Sequence, residues 1–93
     1  MNLQRVLGGS GLTKVELAEL FAVSRQTLHH WANGHLPIEG GLPYRMAIVI
    51  VAALENAIDR RILPFGDMDR AVRRARVTRM AKMLQDLKPA PSK

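Results

Sequence analysis

The 93-residue sequence contains no cysteine, which excludes disulfide bonds and thiolate metal ligands and suits a reducing cytoplasm. Aromatic residues make up only 4% of the chain. The first residues contain no long apolar segment, so we expect no signal peptide. The longest unbroken apolar run, residues 46–54, has nine residues, about half the length of a membrane span. We therefore predict a cytoplasmic protein without a membrane partner, in which this run belongs to a buried helix.

Basic residues are in excess, and they are unevenly distributed. Lysine and arginine number 14 against 8 acidic residues, which gives a formal net charge of +6. Residues 1–40 contain three basic and three acidic residues, so the whole excess lies in residues 41–93, with eleven against five. A basic chain favours anionic partners, of which nucleic acid is the first to consider.

Leucine, alanine, arginine and methionine are abundant, and runs of β-branched residues are short, so the pattern predicts an all-α chain. Segments rich in glycine or proline divide it into five helices. Their expected ranges are 2–7, 14–21, 25–33, 44–62 and 68–87, and residues 89–93 are expected to form a disordered tail.

Cap residues mark the ends of these helices. Thr13 and Glu16 have the spacing of a capping box, in which the hydroxyl and the carboxylate each accept a hydrogen bond from a backbone N–H group. Ser24 and Asp67 are predicted to cap the third and fifth helices. Gly34 is predicted to end the third helix in the left-handed conformation.

The third helix has two chemically different sides. On a helical wheel, Leu28, Trp31 and Ala32 form a small apolar side. The other side carries hydrogen-bonding groups rather than the glutamate and lysine mixture of most surface helices: Gln26, His29, His30 and Asn33, with Arg25 and Thr27 in the first turn. We predict that the apolar side is buried in the core and that the polar side contacts a partner.

Residues 12–37, LTKVELAELFAVSRQTLHHWANGHLP, resemble the helix-turn-helix of Cro and lambda-repressor-like regulators. The resemblance covers about a quarter of the chain and is carried by Thr13, Glu16, Leu17, Ala18, Val23, Ser24, Leu28, Trp31, Asn33, Gly34 and Pro37. Two positions depart from the family pattern. Ala22 stands where glycine is usual, which would cost about 1 kcal/mol in a left-handed conformation, and Ala32 stands where an acidic residue is usual.

The resemblance implies a lambda-repressor-like N-terminal half with a helix-turn-helix, followed by long C-terminal helices, and a set of DNA-binding residues. Within a single domain, residues 1–38 would form the DNA-reading region, and residues 39–88 would complete the core. Arg25, Gln26 and His30 would contact base edges in the major groove, while Thr13 and Lys14 would contact phosphates. The full predicted set is Thr13, Lys14, Ser24, Arg25, Gln26, Thr27, His29, His30 and Asn33.

We therefore expect a sequence-specific, double-stranded DNA-binding transcriptional regulator of a phage, prophage or bacterium. It would occupy an operator at the nucleoid and block polymerase. The sequence offers no catalytic set, no phosphate-binding glycine loop and no metal-ligand cluster, so we expect no enzyme activity, no cofactor and no metal.

The C-terminal half contains more apolar residues than one buried helix face can accommodate in the core. We predict a homodimer through helix 44–62 and residues 80–87, where Met80, Met83, Leu84 and Leu87 form an apolar stripe. Two copies of the third helix would then lie about 34 Å apart and contact a pseudo-palindromic operator. The first half of the fifth helix has a separate stripe on a different side of the helix, formed by Met68, Ala71, Val72 and Ala75.

Two other functions fit parts of the sequence. Residues 24–37 also resemble an excisionase or MerR-like winged-helix protein, which would need residues 45–51 to form a strand of a β-wing. An antitoxin or protein-interaction module, binding a protein partner through helix 44–62, is the alternative from another class. The five arginines between Arg70 and Arg79 either contact phosphates or form a solvated helix face.

Overall fold

The structure, a computed structural model, describes residues 2–87, and every regular element in that range is a helix. The five helices are α1 (Leu3–Gly9), α2 (Lys14–Phe21), α3 (Arg25–Ala32), α4 (Leu42–Asp59) and α5 (Arg70–Gln85). The all-α prediction is therefore confirmed, and the predicted tail at 89–93 lies outside the described residues. No helix in the described range has the length and apolar character needed to cross a membrane.

The predicted caps fix the starts of α2 and α3. The Thr13 hydroxyl accepts from the Glu16 backbone N–H at 3.1 Å, and the Glu16 carboxylate accepts from the Thr13 N–H at 2.8 Å. The Ser24 hydroxyl accepts from the N–H of Thr27 at 3.0 Å. These bonds satisfy backbone groups that the first turn of a helix leaves without partners. Because only residues 22–24 separate the two helices, α2 and α3 are held in contact.

The boundaries of α4 differ from the predicted ones. The helix begins two residues before Tyr44, and Pro43 lies in its first turn, where a missing N–H group costs nothing. It ends three residues before Ile62. Arg61 adopts a left-handed φ of 61°, which turns the chain out of the helix.

The cap of α5 also differs from the prediction, because it is Asp69 rather than Asp67. The Asp69 carboxylate accepts from the backbone N–H groups of Ala71 and Val72 at 2.6 and 3.2 Å. Both aspartates are chemically suited to the role. The sequence alone therefore does not choose between them.

Apolar side chains from all five helices form one core. On α3, Leu28 is fully buried and Trp31 is 6% exposed. The Phe21 and Trp31 rings meet edge to face, with their centroids 5.7 Å apart. Burying side chains of this size contributes about 1.5–3 kcal/mol each. The apolar side predicted for α3 is buried at Leu28 and Trp31 and half-buried at Ala32, and it anchors the helix to α2.

In the first half of α5, the apolar stripe seen in the sequence is not the inward side of the helix. Ala71 and Ala75 are exposed, Val72 is 45% exposed, and Met68 precedes the helix. Arg73 faces inward instead, and the buried residues that follow it are Val77, Ala81 and Leu84. An arginine can hold such a position because its charge is paired, as described below. In the second half, Leu84 is buried within the same chain, whereas Met83 and Leu87 of the predicted interface stripe are 65% and 38% exposed.

Gly11 lies where the connection between α1 and α2 crosses the segment before α5. Its φ is +68°, and a Cβ atom added to it would lie 2.5 Å from Cβ of Pro64. Both the left-handed backbone and this close approach require glycine. The crossing brings the start of α2 next to the start of α5.

Ala22 ends α2 in the left-handed conformation, with φ 56° and ψ 41°. The Val23 N–H bonds to the Ala18 carbonyl at 3.0 Å, and the Ala22 N–H bonds to the Glu19 carbonyl at 3.1 Å. This is a Schellman motif, in which glycine is the usual left-handed residue. The free-energy cost of about 1 kcal/mol, expected for alanine in a left-handed conformation at this position, therefore applies.

We predict that Ala22→Gly raises the free energy of unfolding by about 0.5–1 kcal/mol, because it removes the left-handed strain. The same substitution at exposed Ala75, inside α5, serves as the control and should lower it by about 1 kcal/mol. Urea unfolding of both variants measures the two effects. A loss of stability at Ala22 as large as that at Ala75 would contradict the assigned backbone conformation.

Candidate nucleic-acid interface

Polar side chains of α3 form one exposed surface together with the start of α2. Arg25, Gln26, His29 and His30 are exposed, as is Lys14. Four of these five side chains, those other than His30, line a concave space of about 390 Å³. Lys14, predicted to contact phosphate, therefore lies in space beside two predicted base-contacting residues, Arg25 and Gln26, although 11 positions separate it from Arg25 in the sequence.

Lys14, His29 and Asn33 form a chain of contacts across this surface. The Lys14 ammonium lies 3.5 Å from Nδ1 of His29, and the Asn33 carboxamide lies 3.1 Å from Nε2 of the same ring. An ammonium group only donates, so a hydrogen bond between them requires Nδ1 to accept. The atom of Asn33 that faces Nε2 is the amide nitrogen, so a second hydrogen-bond donor lies against the same ring. The α2 lysine is thereby attached to the outer face of α3.

The remaining outer side chains of α3 are not engaged within the protein. In the range 2–87, Arg25 and Gln26 have neither a hydrogen-bond nor an ion-pair partner through their side chains. The His30 ring makes only ring contacts, with His29 at 6.4 Å and His35 at 6.1 Å between centroids. Their donors and acceptors are available to a partner.

Three other predicted site residues have clear structural roles. The hydroxyls of Ser24 and Thr27 bond to each other at 2.9 Å, and Ser24 also caps α3. Thr27 is half-buried. Thr13 caps α2 and is exposed. These residues fix the two helix starts that border the surface.

Arg73 was grouped with the basic residues of the fifth helix, but it forms an internal ion pair. Its guanidinium donates to the two carboxylate oxygens of Glu16 at 2.8 and 2.9 Å, and to the Gly11 carbonyl at 2.9 Å. It also lies 5.7 Å from the centroid of the Phe65 ring. A two-point arginine–carboxylate contact is stronger than a single hydrogen bond.

This ion pair sets the electrostatics of the α2 start. The Arg73 hydrogen bond, assisted by the Thr13 backbone N–H, lowers the pKa of the Glu16 carboxyl from 4.5 to about 2. Partial burial acts in the opposite direction but is outweighed. Glu16 is therefore ionised and matched by a cation, so that its charge does not oppose an anion bound near Lys14.

Sequence reasoning missed this pair. The capping-box spacing identified Glu16, and the fifth helix identified Arg73 only as one of five arginines. The two residues are 57 positions apart. No local pattern connects them.

Comparisons with protein-family models, with curated proteins and with solved structures found no match. The resemblance of residues 12–37 to lambda-repressor-like regulators therefore stays a prediction.

We predict that Glu16→Gln lowers stability at neutral pH by roughly 1–2 kcal/mol, because glutamine keeps the capping box but loses the charge pair. The folded-state pKa of Glu16 is depressed, so its stabilisation is present above the unfolded pKa near 4.5 and is lost as pH falls towards about 2. Urea unfolding at several pH values should show the wild-type stability fall through that window. The stability of the variant should fall less over the same pH range. An equal dependence of stability on pH in the two proteins would contradict the assigned ion pair between Glu16 and Arg73.

Proposed function

We propose that the protein is a sequence-specific, double-stranded DNA-binding transcriptional regulator that places α3 in the major groove. One feature carries the proposal: the outer face of α3 presents unengaged Arg25, Gln26 and His30, while Leu28 and Trp31 on its inner side fix the helix to the core. A rigid helix with free, planar hydrogen-bonding groups suits the recognition of base edges.

The chemistry of the surface supports this division of roles. An arginine guanidinium matches O6 and N7 of guanine, and a glutamine carboxamide matches N6 and N7 of adenine. Lys14 lies beside these groups, at the start of α2, where its ammonium and the positive end of the helix both favour a phosphate. The proposed role of Lys14 is thus to position the protein, and that of Arg25 and Gln26 is to select the sequence.

The winged-helix alternative loses its structural basis in the described residues. It required a strand at residues 45–51, which lie within α4. Such a protein would use the strand and its hairpin to contact DNA beside the helix. We therefore favour a regulator in which α3 alone enters the groove.

We predict that Gln26→Ala and Lys14→Ala impair DNA binding in different ways. Loss of the glutamine should relax the preference at one operator position by about 1–3 kcal/mol. Loss of the lysine should weaken binding to all DNA sequences about equally. It should also reduce the slope of log affinity against log salt concentration by about 1. Selecting bound sites from random duplex DNA, followed by titrations on the selected and permuted sites, measures both effects.

Asn56→Ala provides the control, because Asn56 is an exposed carboxamide on α4. It should leave the base preference unchanged. If Gln26→Ala lowers affinity for every sequence uniformly, Gln26 does not read a base. A wild-type protein without any preference among duplexes would refute the proposed function.

A homodimer is the second part of the proposal. Between α4 and α5 lies an apolar groove of about 230 Å³, where Ala53 and Ala57 face Met80 and Leu87. Met83, at its border, is 65% exposed. In a two-fold contact each copy presents the same patch, so the protruding methionine of one copy can fill the groove of the other. Both segments expected to form the interface contribute to this groove.

We predict that Met83→Glu converts the dimer to a monomer, because a carboxylate would be buried in an apolar contact. Ile38→Glu is the control, since Ile38 is 87% exposed in the loop between α3 and α4 and lies outside the groove. Sedimentation equilibrium measures the mass of each variant. A monomeric wild-type chain would contradict the dimer, and a different protein bound in equal amount would favour the antitoxin alternative.

A further inference from the structure

The five arginines of α5 differ in what surrounds them. Arg73 is bound to Glu16 and the Gly11 carbonyl. In residues 2–87, none of the other four forms an ion pair, and all four are exposed; they are Arg70, Arg74, Arg76 and Arg79. Their positions relative to α2 decide which of these arginines could bind the same partner as the α3 surface.

Arg70 and Arg74 lie on the side of α5 that faces the start of α2. Together with Thr13 they line a groove of about 510 Å³ between the two helices. At 100° per residue the two arginines are about 40° apart on the helix. Arg76 and Arg79 point at least about 120° away from Arg70 and do not line this groove.

The groove and the α3 surface are bordered by consecutive residues at the start of α2. Thr13 borders the groove on one side, and the next residue, Lys14, lines the concave space that contains Arg25 and Gln26. The acid nearest the junction, Glu16, is already paired with Arg73. The groove's other carboxylate, Glu19, receives a bond from the Thr78 hydroxyl at 3.5 Å, further along α2.

We propose that Arg70 and Arg74 form a second phosphate-binding patch, which contacts the DNA backbone next to the bases that α3 reads. This inference rests on the proposed function. A phosphate held by Lys14 would place the next part of the same strand over the start of α2, towards the two guanidiniums. The remaining pair, Arg76 and Arg79, does not line this groove, and we expect it not to contact that strand.

The test compares two double variants that lose the same charge: Arg70→Gln with Arg74→Gln, and Arg76→Gln with Arg79→Gln. Affinities for the selected operator and for a random duplex are measured from about 50 to 200 mM salt. Each phosphate contact contributes about 0.9 to the slope of log affinity against log salt, so losing the first pair should reduce the slope by about 2. The ratio of wild-type affinity to the affinity of this variant should then fall roughly tenfold between 50 and 200 mM salt, and by the same factor for both duplexes.

The second double variant should keep a slope close to that of wild type. Ethylation interference should show that only the first variant loses sensitivity at phosphates beside the bases contacted by α3. Equal slopes for the two double variants, or unchanged interference in the first, would overturn the inference. A wild-type protein that binds duplexes without sequence preference would instead refute the proposed function, and the difference in slope would still decide whether Arg70 and Arg74 bind phosphate.

Discussion

The Glu16 carboxylate joins the start of α2 to α5, and the arrangement of the candidate interface depends on that contact. One carboxylate oxygen closes the capping box with Thr13, and both oxygens receive bonds from Arg73. The same guanidinium holds the Gly11 carbonyl, at the point where the chain crosses Pro64. Segments far apart in sequence thereby meet at the end of α2 that borders the polar face of α3.

The two sides of α3 differ in what they contact within the protein. Leu28 and Trp31 are buried against the core, and the edge-to-face contact with Phe21 links α3 to α2. Arg25 and Gln26 stay unengaged on the opposite side in the described part of the chain. Rigid anchoring reduces the conformational entropy that a bound partner would otherwise remove. That property suits the proposed recognition of bases, where small displacements break paired hydrogen bonds.

Local chemistry explains which elements could be predicted from the sequence. The capping box at Thr13, the cap at Ser24 and the two sides of α3 all depend on groups within four residues of each other, and all three are found. The cap of α5 was assigned to Asp67 because two aspartates satisfy the same local rule, and the structure uses Asp69. The apolar stripe at the start of α5 is largely exposed, because a distant carboxylate allows Arg73 to face inward instead.

By itself, the sequence determined the helical class, the caps of α2 and α3, and the polar face of α3, because backbone hydrogen bonding and helical periodicity act over a few residues. Only the tertiary structure decided which of five similar arginines is an internal partner, which pair lies beside the start of α2, and which pair faces away. Those distinctions depend on how α5 packs against α2, which joins residues 57 positions apart. Coulombic and packing interactions act through space, and the spacing of residues along the chain does not encode them.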